Sequence, residues 1–137
     1  MTQTRKDALQ ELLAKVKGGI KYETMGHTRM CQRAFPKPDN FDGSRQAYAE
    51  EEAQRAVLAW RNGDMNAALA LHNAVLPDAV WEVYRTSKYT GIIPGSSRHE
   101  FAAKVGWGTT HRGEADNPAR AWLCAIMKAL ISECDAK

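Results

Sequence analysis

The sequence has 137 residues, a length that favours one domain rather than two. Hydrophobic residues make up 44% and charged residues 26%, an ordinary globular composition that argues against a disordered chain. The net charge of +3 is too small to establish a polyanionic partner by itself.

Two patterns indicate a cytoplasmic protein. No apolar run approaches the roughly 20 residues needed to cross a bilayer, and no apolar segment follows the charged N-terminus as it would in a secretory signal. Cys31, Cys124 and Cys134 cannot all pair with one another. Cys124 and Cys134 fall in one predicted helix, about 15 Å apart along its axis, which is too far for a disulfide. Reduced thiols and no membrane partner are therefore expected.

The first predicted helix begins with a capping pattern of Thr4 and Asp7 and ends at Gly18-Gly19. Its apolar stripe at helical spacing consists of Leu9, Leu12, Leu13 and Val16. Residues 20–43 show no clear period, and their second half, rich in proline, aspartate and glycine, is predicted to be a loop.

Two more helices are predicted before the pattern changes. Ser44 can cap a helix from about Arg45 to Arg61, and Asp64 can cap another that Pro77 closes. After Pro77 the apolar residues recur at every second position, as they do in a strand. Ala79 to Thr86 predicts a strand, and Phe101 to Trp107 predicts a second, half-buried one. Residues 109–112 could return as a third strand, whose register the pattern does not fix.

The last helix has the clearest start signal in the chain. Asp116 or Asn117 can cap it, and Pro118 suits its first turn. From Ala119 to Glu133 nearly every residue is apolar apart from Arg120, Lys128 and Ser132. A helix so broadly apolar should lie at the centre of the core, between a sheet and other helices.

These elements predict one α+β domain over residues 1–137, in which a small antiparallel sheet packs against helices as a layered sandwich. A helical, basic part covers residues 1–62 and includes the loop at 20–43. An α-β-β(-β)-α unit covers residues 63–137.

Three segments of that unit carry a resemblance to a known family. They are the helix from Asp64 to Pro77, the strand Val80 to Tyr84, and the run from Gly106-Trp-Gly108 through Asn117-Pro118 to Leu123. Together they resemble the phage ABA sandwich domain family of phage and prophage proteins, in which helices flank a small antiparallel sheet. The resemblance covers roughly the C-terminal half of the chain. It implies a phage origin and this fold, and it brings no catalytic residues.

The α-β-β-β-α order is also similar to that of a double-stranded-RNA-binding domain. Those domains place lysines at the N-terminus of the last helix, where they meet phosphates. Here the corresponding positions hold Glu114, Asp116 and Asn117. Phosphate binding by the N-terminus of this helix is therefore not expected.

No catalytic residue, metal ligand or cofactor is predicted. His27 and Cys31 have the spacing of a shared helix face, but no second pair completes a zinc site. His99, Lys104 and His111 could form an acid–base pair with a cation, although two surface histidines on a hairpin explain them equally well. His72 is expected to be a partly buried, hydrogen-bonded side chain. The tryptophans are expected to anchor the core, and any left exposed would mark an interface; they are Trp60, Trp81, Trp107 and Trp122.

The best functional candidate is the segment at residues 15–37, where six Lys or Arg residues face a single acid, Glu23. Its candidate binding residues are Lys15, Lys17, Lys21, Tyr22, Arg29, Arg33, Phe35 and Lys37. Cations interleaved with aromatic rings can hold phosphates and stack on bases, or dock on an acidic protein. A solvated loop without a partner is the alternative interpretation.

The leading hypothesis is a non-enzymatic phage or prophage accessory protein in the host cytoplasm that binds a host protein or nucleoprotein complex. Its sharpest form is an anti-CRISPR-like inhibitor of a host defence complex. The alternative is a nucleic-acid-binding module that uses residues 15–37. A small hydrolase or nuclease is the third hypothesis.

Overall fold

The computed structural model describes residues 5–18, 25–35, 46–76, 78–85, 101–106 and 110–136. In these residues the chain forms the helices α1 (Arg5–Lys17), α2 (Met25–Ala34), α3 (Gln46–Asn62), α4 (Met65–Val75) and α5 (Pro118–Ala136), and the strands β1 (Val80–Arg85), β2 (Phe101–Gly106) and β3 (Thr110–Ala115). The α+β class is therefore as predicted.

The three strands form one antiparallel sheet in the order β1-β2-β3. In the middle of the ladder Val83 lies opposite Ala103, which in turn lies opposite Gly113. This row faces α5, because Gly113 approaches the α5 backbone closely. The next residues along each strand point away from α5, since side chains alternate between the two faces of a sheet.

Helix α5 is the centre of the core, as its sequence predicts. Every residue from Ala119 to Leu130 is buried except Arg120 and Lys128, which are half-buried. The helix contacts all three strands on one side, and α1, α3 and α4 also pack against it. A helix enclosed in this way has few positions where a polar side chain can reach solvent.

The start of α5 is tied to the end of α3. Asn117 is the cap, because its Oδ1 accepts hydrogen bonds from the backbone N–H of Ala119 at 2.9 Å and of Arg120 at 3.3 Å. Arg120 Nε donates to the carbonyl oxygen of Trp60 at 2.9 Å. Gly63, with φ at 64°, lies against the Asn117 side chain where a Cβ would not fit. These contacts fix the angle at which α5 enters the core.

Helix α2 corrects the prediction that the region after Gly18-Gly19 is mainly loop. Met30, Cys31 and Ala34 form its buried side, while Arg29 and Arg33 are exposed. The apolar stripe is too short and too mixed in residue type to show as a helical period in the sequence. The loop predicted in the second half of residues 20–43 falls largely outside the described residues.

The tryptophans divide into buried and exposed ones. Trp60 and Trp122 are 0% and 1% exposed, whereas Trp81 on β1 is 43% exposed. Trp81 therefore anchors the core only in part, because it lies on an edge strand of the sheet. Trp107 lies outside the described residues.

Candidate binding surface

The structure describes five of the eight predicted binding residues: Lys15, Lys17, Arg29, Arg33 and Phe35. The three others, Lys21, Tyr22 and Lys37, lie outside the described residues. Phe35 was predicted to stack on a ligand, and this is wrong, because it is 2% exposed and belongs to the core beyond the end of α2. Lys17, Arg29 and Arg33 are exposed, and Lys15 is half-buried.

Arg29 and Arg33 lie one helical turn apart on the solvent side of α2. Gln32 is exposed beside them, and Met30 and Cys31 anchor the opposite side in the core. A rigid helix therefore presents these two guanidinium groups. The sequence predicted a loop here, and the structure places these two arginines on a helix instead.

Lys17 takes part in a second group of charges that the sequence did not indicate. It lines a cleft of about 240 Å³ together with Arg112, Glu114 and Lys128. These four residues, called the basic cleft below, come from the end of α1, from β3 and from the middle of α5. In the described part of the chain, its lining thus has three cationic side chains and one carboxylate.

Contacts within the basic cleft fix two of its cations. Lys128 Nζ donates to the carbonyl oxygen of Arg112 at 2.6 Å. Arg112 Nε donates to Glu114 Oε1 at 2.8 Å, with the two side chains 47% and 31% exposed. Burial lowers the pKa of Lys128 from its ordinary value, and the positive charge of Lys17 lowers it further. The ammonium groups of Lys128 and Lys17 therefore repel one another across the cleft.

Cations also lie over the face of the sheet that points away from α5. Lys104 Nζ is 5.8 Å and Arg112 Cζ is 5.9 Å from the centre of the Tyr84 ring. At these distances the ring face attracts both positive charges. Arg112 is therefore held between Tyr84 on the sheet and Glu114 at the cleft.

Trp81 forms the exposed end of an aromatic cluster. Its ring stacks on that of buried Trp122 at 4.3 Å, and His72 lies edge-on at 6.4 Å. The neighbouring Val80 is 72% exposed. A tryptophan left exposed was predicted to mark an interface, so β1 stays a second candidate contact surface.

His72 is a structural residue, and it is more deeply buried than the sequence suggested, at 1% exposed. The indole Nε1 of Trp122 lies 3.3 Å from Nδ1 of His72, and Nε2 of His72 lies 3.0 Å from the carbonyl oxygen of Ala79. Since an indole N–H can only donate and a carbonyl can only accept, the ring is neutral with its proton on Nε2. Burial lowers the pKa of His72, which agrees with this state.

The two candidate catalytic residues that the structure describes, Lys104 and His111, do not come together. In the register of β2 and β3, Lys104 lies opposite Arg112, and the next residue, Val105, lies opposite His111. Side chains alternate between the faces of a sheet, so Lys104 and His111 point to opposite faces. His99 lies outside the described residues. Burial raises the pKa of Cys31 and that of Cys124 to about 12, so both thiols are protonated at neutral pH and are poor nucleophiles and poor metal ligands.

Among the described residues, no group of three or more His, Cys, Asp or Glu side chains could hold a metal ion. Likewise, no helix in the described part of the chain has the length and apolar character to span a bilayer. The N-terminus of α5, where a double-stranded-RNA-binding domain meets phosphates, is occupied by the Asn117 side chain. The candidate surface therefore consists of the basic cleft and the two arginines of α2.

Comparison with known proteins adds no assignment. No family model matches the chain, and neither the curated proteins nor the solved structures contain a match. The resemblance to the phage ABA sandwich domain family therefore stays a prediction.

Proposed function

We propose that the protein acts by binding rather than by catalysis, and that its partner is an anionic host macromolecule. The basic cleft carries this proposal. Lys17 on α1 meets Arg112 on β3 and Lys128 on α5 there, and Glu114 is the one carboxylate among the described residues that line the cleft. Such a local excess of positive charge raises the concentration and the association rate of acidic partners.

The specific form of the proposal is an accessory protein of phage origin that inhibits a host nucleoprotein complex, in the manner of an anti-CRISPR protein. The phage origin comes from the resemblance of the C-terminal half, and the nucleoprotein partner comes from the cations. Two protonated thiols, a neutral buried His72 and the separation of Lys104 from His111 support a role without catalysis.

Direct binding of free nucleic acid is the second candidate function, and the open cationic cleft favours it as well. The two candidates differ in salt dependence. A protein that meets nucleic acid through phosphates loses affinity with log salt at a slope of about −0.7 to −0.9 per phosphate contact. Binding measured by fluorescence anisotropy on random DNA and RNA strands, between 50 and 200 mM salt, separates a free-strand binder from a protein that needs the assembled complex.

The central experiment is capture of partners from a host lysate with two matched triple variants. Lys17→Glu, Arg29→Glu and Arg33→Glu reverse three exposed charges, while Lys17→Arg, Arg29→Lys and Arg33→Lys preserve them. Exposed charges contribute at most about 1 kcal/mol each to folding, so both variants should fold, which circular dichroism checks. We expect the wild type and the charge-preserving variant to retain a common set of host proteins that the reversed variant loses.

Nuclease treatment of the lysate before capture then tests whether nucleic acid in the partner complex takes part in binding. Loss of the captured proteins after treatment indicates that nucleic acid takes part in the contact. If the charge-reversed variant captures the same host proteins as the wild type, the surface formed by Lys17 and the two arginines of α2 is not the binding surface, and the proposal is wrong. The exposed Val80 and Trp81 of β1 would then be the next surface to alter.

A further inference from the structure

The basic cleft has a layout suited to one small anion. Its positive groups belong to three different elements, so they surround the cleft rather than line up along one helix. The cleft volume of about 240 Å³ is below the roughly 300–1,000 Å³ of pockets for drug-sized ligands. An anionic group of a few atoms, attached to something larger outside, is the ligand that this size accommodates.

The charges of the cleft favour phosphate over carboxylate. With Arg112 and Glu114 paired to each other, Lys17 and Lys128 leave an excess of two positive charges. A phosphate group offers up to two negative charges and several acceptor oxygens, and lysine binds it as a point charge. A carboxylate is recognised best by a bidentate arginine, and here the Nε of Arg112 already donates to Glu114.

We infer that the basic cleft binds one phosphate group, carried by the nucleic-acid strand of the partner complex. The inference rests on the proposed function, because that partner supplies the phosphate. Lys17 and Lys128 contact the phosphate oxygens. Arg112, held by Glu114 and by the Tyr84 ring, forms the wall of the cleft. Binding relieves the repulsion between the two lysines.

Titration of the full-length protein with inorganic phosphate tests the cleft directly. Isothermal calorimetry at pH 7.5 compares phosphate with acetate at matched ionic strength. We expect saturable phosphate binding and no saturable acetate binding. Lys17→Gln and Lys128→Met should each weaken phosphate binding about tenfold or more, because each removes a charged hydrogen bond. Glu114→Gln should strengthen it, because a negative charge leaves the cleft.

Two controls keep this test decisive. Arg61→Gln removes an exposed cation at the end of α3 that does not line the cleft, and it should leave phosphate affinity within about twofold of wild type, since salt screens exposed charges outside the site. Lys17→Gln covers the case in which Lys128→Met fails to fold, because Lys17 is exposed. Equal binding of acetate, or equal weakening by Lys17→Gln and Arg61→Gln, would overturn the inference.

The source of the phosphate is tested with two short oligonucleotides of one sequence, with and without a 5′ phosphate. Lys17-dependent binding of both supports recognition of a phosphodiester, and binding of the first alone supports recognition of a strand end. If inorganic phosphate binds but neither oligonucleotide does, the assignment to nucleic acid is wrong. If the charge-reversed triple variant loses its host partners while phosphate fails to bind wild type, the proposed function stands without this inference.

Discussion

At Gly113 the backbone of β3 lies so close to the central helix α5 that a Cβ would not fit. A Cβ built on Gly113 would lie 2.5 Å from the backbone nitrogen of Ala125 and 2.8 Å from Cβ of Cys124, and closer still to the carbonyl oxygen of Ala121. Two of these three neighbours are backbone atoms of α5, which cannot rotate away. Gly113→Ala therefore forces β3 and α5 apart.

We expect this substitution to lower the free energy of unfolding by about 3 kcal/mol, at the upper end of the usual cost of overpacking, because the clash involves backbone. For a domain of this size that corresponds to a fall in Tm of roughly 8–15 °C. Urea unfolding followed by circular dichroism gives the free energy. The phosphate titration should also weaken, because Arg112 and Glu114 flank Gly113 on β3.

Gly26→Ala is the matched control, since it makes the same chemical change at an exposed position of α2. There alanine should be neutral or stabilise the protein by up to about 1 kcal/mol, because glycine costs entropy in a helix. A Gly113→Ala variant as stable as wild type would refute the close packing of β3 on α5.

Two further predictions concern the core. Trp122→Ala should cost about 3–5 kcal/mol and Leu123→Ala about 2–5 kcal/mol in urea melts, because each leaves a cavity in the most buried helix. A cost below about 0.5 kcal/mol for both would contradict the central place of α5. His72 has a folded pKa below its unfolded value, so the unfolded chain takes up the proton first as the pH falls. Stability should therefore be full above about pH 6.5 and decline below it, and the decline should be smaller in His72→Gln.

Local signals explain which parts of the fold the sequence predicted well. Asp64 caps α4 through a hydrogen bond from the backbone N–H of Ala67 at 3.1 Å, and Asn117 with Pro118 starts α5. In both cases the capping atoms lie within three residues of one another, so the pattern is visible in a short window. The buried run of α5 was equally visible, because almost every residue in it is apolar.

Tertiary contacts decide the parts that the sequence missed. Helix α2 buries Met30, Cys31 and Ala34 by packing against α1 and α3, and its own composition gives little helical signal. Phe35 comes two residues after an exposed arginine and directly before a proline, so the sequence predicts a loop there. Its burial becomes apparent only when α2 is seen to end there. A partly polar segment can thus form a helix because neighbouring helices pack against its few apolar side chains.

The basic cleft was harder still to predict, because Lys17 is separated in sequence from Arg112 and Lys128 by most of the chain. One local signal was available: Lys128 is a cation in the middle of an otherwise apolar run of α5. Its ammonium group donates a hydrogen bond to the carbonyl oxygen of Arg112 on the edge strand β3, and this bond explains why α5 carries a lysine at that position. Lys17 beside it lies in the last turn of α1, where the helix dipole favours a positive charge, although that charge also lowers the pKa of Lys128. Each lysine thus has a structural role of its own, and the phosphate proposed for the cleft would in addition compensate the repulsion between their charges. The titrations of Lys17→Gln and Lys128→Met measure that additional contribution.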